Sequence, residues 1–490
     1  MNWRKVMLFT TPEFFIFLVV VILLIELIRK QLWQQIILLL ASYYFYWCSG
    51  SIHILLLIFV TIASYLCGWR VWKATALKRK RIWLAVGTII PLAVLAYFKY
   101  IDFGITQINN VLGLFSPGAS IPLLEVLLPV GVSFFTFQAL SYVFDIYLGK
   151  IEHEEKFHRY ALFIAFFPAL VAGPIVRASE FLPQLKSKIS ITGANLQAGV
   201  TLIIWGLFKK MVIADNIGKY VDIIYSNPSG YSSLYIVAAT VLFGIQIYCD
   251  FSGYANIAIG VGRIFGFKLP ENFDMPYFTR NIQIFWRKWH MTLSRFIRDY
   301  VYIPLGGNRK GHLRTYVNLF ASMVICGFWH GAAWTFVIWG AYHGIMLLLH
   351  RYFVGERKWG AGVKFLDSNP AIFVKVLITQ ALVFFGWMIF RANSLGDLMT
   401  CIQKIIFFDF AMSGVMKLAV VGCALMVLVC FILSFNKKIV ELVKKIILFD
   451  YMGYFSSQKV RYWVIYIVIF VALILLLAPP ETPEFIYFAF

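Results

Sequence analysis

RYWVIYIVIFVALILLLA, residues 461–478, decides the fold class. Apart from its first residue the run is almost wholly apolar, and as a helix it is long enough to cross the roughly 30 Å hydrocarbon core of a bilayer. Comparable runs occupy 9–28, 52–69, 82–98, 371–391 and 410–434, with shorter or more polar segments such as 33–48 between them. Over 490 residues the chain is 61% hydrophobic and 14% charged, more apolar side chain than a water-soluble globule could bury. It reads as an all-α polytopic integral membrane protein. The first run is not read as a removable signal peptide, because no small-residue cleavage pattern follows it and further spans come at once.

The formal charge of +21 raises nucleic acid as a ligand, but the placement of the charges argues against it. Arg70, Lys73, Lys78, Arg79, Lys80 and Arg81 fall in one short acid-free connection, the pattern of a loop retained in the cytosol. Arg351, Arg357 and Lys358, then Lys437, Lys438, Lys444, Lys445, Lys459 and Arg461, mark two more such stretches. Counting spans from these anchors sends 371–391 outward, 410–434 inward and 461–478 outward, leaving residues 479–490 outside. The same count runs 52–69 inward and 33–48 outward and places the N-terminus outside, although Arg4 and Lys5 balance Arg29 and Lys30 there. The seven cysteines form no CxxC pair and read as buried thiols. No repeat or low-complexity linker divides the chain. It is read as one membrane domain: spanning helices over 1–128, a core over 129–352, further spans over 353–478 and an aromatic tail over 479–490.

Between about 129 and 345 the apolar runs are interrupted by residues that are costly in lipid and persist only against protein or a water-filled cavity. FFPALVAGPIVR, 166–177, breaks at Gly173-Pro174 and ends on Arg177, so it is either a re-entrant or broken helix lining a cavity or a proline-kinked span. In IQIYCDFSGYANIAIGVG, 245–262, Asp250 either holds a cation or donor or caps a helix beginning near Ser252; Asn256 is close by. In NIQIFWRKWHMTLSRFIRDYVYIPLGGNRKG, 281–311, Trp286, Trp289, Leu293 and Ile297 share one helical face and Arg287, Lys288, Arg295 and Arg298 another. That is an amphipathic helix at a membrane surface, with His290 at the edge of its aromatic face.

VICGFWHGAAWTFVIWGAYHG, 324–344, sets His330 in an uncharged, tryptophan-rich stretch between Gly327 and Gly331, which permit close backbone approach. A neutral buried imidazole can accept a hydroxyl proton, which makes His330 the best general-base candidate; the alternative is a histidine bridging helices by hydrogen bonds. His343 reads as structural. A zinc site on His290, His330 and His343 lacks a completing carboxylate or cysteine, so no metal is expected. GVGRIFG, 260–266, does not fit a dinucleotide loop, and no GxSxG elbow is present.

With FFPALVAGPIVR, YCDFSGYANIAIG, FWRKWHMTLSRFIRDYVYIPLGG and FWHGAAW in this order, the chain resembles the membrane-bound O-acyltransferase family. Within it, the branch of the alginate O-acetylation membrane subunit is the nearer and the teichoic-acid D-alanylation subunit the more distant. The resemblance implies about 10–12 transmembrane helices, with re-entrant and interfacial helices around a central tunnel. It also implies that WH at 289–290 and WHG at 329–331 bring His330, the principal catalytic residue, and its partner His290 to that tunnel, with Trp289, Trp329, Asp250, Arg177 and Asn256 in support. Asn256 departs from relatives that carry an acidic residue there. YIPLGGNRKG, 302–311, fits the polysaccharide branch better than the D-alanylation branch.

The implied function is transfer of an acetyl group from cytosolic acetyl-CoA across a bacterial cytoplasmic membrane, for O-acetylation of an envelope or exported polysaccharide. Acetyl-CoA is the donor substrate and no bound cofactor is expected. Arg287, Lys288, Arg295 and Arg298 would draw its phosphates or, alternatively, anionic lipid. FIYFAF, 485–490, resembles a C-terminal aromatic motif whose tyrosine carries the acyl group, which makes Tyr487 the carrier candidate; the other reading is an aromatic anchor. A separate extracytoplasmic SGNH-type acetyltransferase or esterase-like protein is the expected partner, beside the lipid bilayer. D-alanyl transfer from a carrier protein, a transporter or flippase, and a non-catalytic scaffold are the alternatives. A flippase would predict paired halves, which the sequence lacks.

Overall fold

In the computed structural model the decisive run is helix from Val460 to Leu477. With no water in hydrocarbon to satisfy backbone N–H and C=O groups, an apolar segment of this length has no other stable conformation. The structure describes residues 7–171, 173–359, 362–409, 460–480 and 485–486. Arg4, Lys5, the expected span 410–434, Cys423, Cys430, Lys437, Lys438, Lys444, Lys445, Lys459, Tyr487, Phe488 and Phe490 lie outside the described residues.

Among the described residues there is helix and no strand, and six helices are long and apolar enough to cross a membrane. Four of them contain or nearly coincide with expected runs: Ile54–Lys73, Leu77–Phe115, Asn369–Arg391 and Val460–Leu477. The other two, Gly193–Ser226 and Ser233–Ile264, carry the buried charges described below, which hid them from a search for uninterrupted apolar runs. The Leu77–Phe115 helix is 39 residues long, about 58 Å at 1.5 Å per residue, and so exceeds the hydrocarbon core. Its far end is braced by the chain that follows: the Asp102 carboxylate accepts the N–H groups of Leu124 (2.7 Å) and Val126 (3.1 Å).

Contacts group the chain into two compact units, Met1–Ile203 with Tyr254–Pro270, and Ile204–Gly253 with Glu271–Phe490. The first unit is tied by aromatic packing, with Phe14, Phe17 and Phe45 all against Phe167. In it the chain leaves helix after Leu170 and runs without helical structure from Pro174 to Arg177 before a short turn at Ala178–Phe181. The 166–177 segment is therefore broken, not a kinked continuous span.

The second unit contains a tryptophan cluster in which Trp286 packs on Trp339, Trp339 on Trp387 and Trp387 on Trp289. Its helices His312–His330 and Trp334–His350 form a hairpin through 331–333. A Cβ on Gly327 would strike the Phe336 carbonyl and the Gly340 backbone, and one on Gly340 would stand 2.5 Å from the Met323 carbonyl oxygen. Only glycine at both positions lets the backbones approach this closely. The open end of the hairpin is tied by Glu356, which accepts from the Tyr316 hydroxyl (2.7 Å), His312 Nδ1 (3.1 Å) and Arg351 Nε (3.3 Å). These bonds, Tyr316's foremost, hold the Glu356 carboxyl below its usual range. A carboxylate held low in the folded state stabilises above its unfolded pKa and loses that contribution as pH falls through the folded value. Protection of the amides at 312–316 and 351–357, taken relative to their intrinsic exchange at each pH, is therefore expected to fall as pH drops below about 4. Glu356→Gln should remove that pH dependence.

Candidate active site

His330 is the last residue of the His312–His330 helix, where Gly331 turns the chain back into the hairpin. Its ring meets Trp339 edge-on (centroids 5.1 Å, 89°), Phe390 (5.5 Å, 75°) and Trp329 (4.9 Å). Gly331 carries no side chain because a Cβ there would collide with the Phe336 ring. The His290 ring lies 6.4 Å from that of His330 and 6.0 Å from that of Trp329. Both histidines are buried. Residues 40 positions apart in sequence thus share one aromatic box.

The expected amphipathic helix within 281–311 is broken where it meets this box. Helix runs from Ile282 to Lys288 and again from Met291 to Ile297, and between them His290 takes φ 42° and ψ 54°. A left-handed conformation at a non-glycine residue costs on the order of 1–2 kcal/mol and persists where surrounding contacts impose it. The two faces survive the break. Trp286, Trp289, Leu293 and Ile297 are buried while Arg287 and Arg298 are exposed. Trp289 packs on Trp387 (4.7 Å) and Phe273 (5.0 Å).

The contacts that impose the break come from Asn272. Its side-chain oxygen accepts the Thr292 N–H (3.2 Å), the Thr292 hydroxyl (2.9 Å) and His290 Nδ1 (3.0 Å), and its backbone carbonyl accepts the Met291 N–H (2.9 Å). Because the Thr292 N–H can only donate, the atom facing it must be the amide oxygen, which fixes the flip of Asn272. His290 Nδ1 must then carry the proton. Its Nε2 is left as a lone pair, buried and with no hydrogen-bond partner among the described residues. Protonating Nε2 would bury a second donor and a charge, so this tautomer is an acceptor only.

A second polar cluster lies in the same unit. The Gly193–Ser226 stretch widens into a π-helical turn at Phe208–Ala214, which buries Lys209 and Lys210. Lys210 Nζ stands 2.6 Å from Asp215 Oδ1 and 2.9 Å from Asp250 Oδ1, and Lys209 Nζ donates to Ser252 Oγ at 2.8 Å. Gly253 admits this approach: a Cβ there would stand 2.8 Å from the Gly206 carbonyl oxygen and 3.3 Å from Lys210 Cβ. Helix runs unbroken through Asp250 from Ser233 to Ile264, so Asp250 caps nothing and instead faces a cation. Its other oxygen, Oδ2, accepts the Ile486 N–H at 2.8 Å. Phe485 is fully buried, its ring 5.8 Å from that of Phe251, which in turn meets His290 edge-on at 4.6 Å.

The structure thus brings together His330, His290, Trp289, Trp329 and Asp250 within one unit. Arg177, buried, and Asn256, half-buried, belong to the other. Of the basic quartet, Lys288 pairs with Asp274 (2.8 Å) and Arg298 with Asp299 (2.6 Å), while Arg287 stands exposed and Arg295 half-buried. His343 packs against Trp339 (5.0 Å) and Trp286 (5.1 Å), with neither ring nitrogen hydrogen-bonded among the described residues. Among those residues no group of three or more His, Cys, Asp or Glu is placed to hold a metal ion. Asn272, Lys210 and Asp215 escaped the sequence reading. The pair Lys209-Lys210 inside the apolar run 201–214 was the available signal; nothing local marks Asn272.

Residues 38–357 match the sequence profile of MBOAT, the membrane-bound O-acyltransferase family. The chain is 37% identical over 380 residues to the peptidoglycan O-acetyltransferase of Helicobacter pylori, an alignment covering 72% of this chain and 70% of that protein. It is 40% identical over 348 residues to the probable alginate O-acetylase AlgI of Pseudomonas putida, covering 70% and 68%. The teichoic acid D-alanyltransferase of Bacillus subtilis is more distant, at 31% over 276 residues, covering 54% and 69%.

Proposed function

Since this chain belongs to the membrane-bound O-acyltransferase family, we propose that it draws acetyl groups from cytosolic acetyl-CoA through a bacterial cytoplasmic membrane for O-acetylation of an envelope or exported polysaccharide. The observation that carries this reading is the histidine pair: two buried imidazoles in one aromatic box, one with its tautomer set to present a bare Nε2. His330 takes the proton of an attacking hydroxyl. The oxygen bonds to the thioester carbonyl carbon, the C–S bond breaks, and the proton passes from the imidazolium to the departing thiolate, giving free CoA thiol. His290, an acceptor at Nε2, offers its lone pair to the charge that develops between them. Arg287, Lys288, Arg295 and Arg298 attract the donor's phosphates.

The hydroxyl is that of Tyr487, next in sequence after an amide held on Asp250. A phenol loses its proton more readily than a sugar alcohol, and its ester remains activated for onward transfer. An extracytoplasmic SGNH-type acetyltransferase or esterase-like partner then moves the acetyl group to polysaccharide. Purified protein in lipid nanodiscs should release CoA thiol from acetyl-CoA, and intact-mass analysis of the 479–490 peptide should show one acetyl adduct that Tyr487→Phe removes. CoA release with no adduct, and full activity in Tyr487→Phe, would eliminate the carrier. No CoA release with partner and acceptor supplied would eliminate the enzyme.

A further inference from the structure

We propose that Asp250 is a latch that holds the chain at Ile486, gripping the Ile486 amide with one carboxylate oxygen while Lys210 steadies the other. This rests on the reading of Tyr487 as carrier, because it fixes the residue that precedes Tyr487 in the same unit as the histidine pair.

The carboxylate divides its two oxygens between two tasks: Oδ1 to the Lys210 ammonium, Oδ2 to the Ile486 N–H. Lys210 is in turn held by Asp215, so the acceptor is fixed from behind. Such a buried charge cluster is expensive in a lipid-embedded helix pair, and packing at Gly206 and Gly253 already joins the two helices without it. What the cluster adds is a preorganised acceptor. The preceding helix docks on the same stretch: Phe470 packs on Trp205 (5.7 Å) and Phe208 (5.1 Å), and Asn216 Nδ2 donates to the Leu477 carbonyl at 2.8 Å. Both the Val460–Leu477 helix and residues 485–486 therefore lean on the segment that carries Lys210 and on its partner helix.

The geometry also links the latch to the chemistry. Phe485 packs on Phe251 and Phe251 on His290, so the ring that seats the segment touches the ring of the candidate catalytic histidine. Because the contact is made through a backbone N–H, it reads position along the segment and not side-chain identity. A single hydrogen bond from a backbone N–H to a carboxylate contributes on the order of tenfold to a hundredfold in occupancy, enough to place a carrier and weak enough to release it.

Four variants of the full chain in nanodiscs test this. Asp250→Ala removes the acceptor while Lys210 keeps Asp215. Asp250→Asn has one acceptor oxygen for two donors and can serve only one. Ile486→Pro deletes the donor and leaves the carboxylate intact, whereas Ile486→Ala retains the N–H. In hydrogen–deuterium exchange, the 479–490 peptide is expected to exchange about tenfold faster in Asp250→Ala and Ile486→Pro. It should exchange at an intermediate rate in Asp250→Asn and at the wild-type rate in Ile486→Ala. Combining Asp250→Ala with Ile486→Pro in one double variant should match Asp250→Ala, with exchange over 312–350 unchanged throughout. Equal exchange in wild type and Asp250→Ala, or additive effects in the double variant, overturns the latch. Acetyl labelling of Tyr487, read separately in the same samples, should fall with the loss of protection. If the exchange pattern holds while Tyr487 is never labelled, the latch stands and the carrier reading falls.

Discussion

His330→Ala is expected to lower acetyl transfer by about 10³-fold or more, at membrane abundance equal to wild type. The ring is wedged among Trp329, Trp339 and Phe390, so its removal deletes both a proton acceptor and a packing element. His330→Gln separates the two effects, because glutamine roughly fills the space and hydrogen-bonds but does not take up a proton. Both variants should bind acetyl-CoA and release CoA thiol at the background rate. Wild-type envelope acetylation in either one, with equal protein in the membrane, would remove His330 from the mechanism.

The second large effect concerns a residue that never touches substrate in this scheme. Asn272 sets which nitrogen of His290 is bare, and Asn272→Ala is expected to cut kcat about tenfold to a hundredfold with little change in KM for acetyl-CoA. Losing the amide oxygen frees His290 to exchange tautomers and also strips Thr292 of its acceptor. Asn272→Asp keeps an oxygen in the same place and should retain more activity than Asn272→Ala. A purely structural Asn272 would instead lower abundance and leave the rate per molecule unaltered. His290→Ala should be at least as impaired as Asn272→Ala, since it removes the acceptor that Asn272 orients.

Legibility differed from element to element for physical reasons. Spans such as 461–478 and 371–391 were readable because a bilayer imposes a one-dimensional rule, apolar length, that neighbours cannot override. Spans 193–226 and 233–264 were missed because that rule counts Lys209, Lys210, Asp215 and Asp250 against a segment, whereas the fold pairs Lys210 with both carboxylates and hydrogen-bonds Lys209 to Ser252. The amphipathic pattern within 281–311 identified which side chains are buried, since burial follows a period that a local break disturbs little. It did not reveal the break at His290, because a left-handed backbone at histidine is imposed by contacts with a residue 18 positions away.

His330 was singled out as a general-base candidate by its setting, an imidazole between two glycines in a tryptophan-rich run. Its partnership with His290 came from family likeness and not from spacing, and the 6.4 Å between the rings is a property of the folded hairpin and the broken helix together. What the sequence by itself determined is composition and period: a membrane-embedded, all-helical chain, and the residue types able to move a proton within it. What only the tertiary structure decided is partnership: which histidine nitrogen is bare, which carboxylate faces Lys210, and where the Ile486 amide ends. Partnership depends on through-space distances of a few ångströms between residues tens to hundreds of positions apart, and no local pattern encodes those.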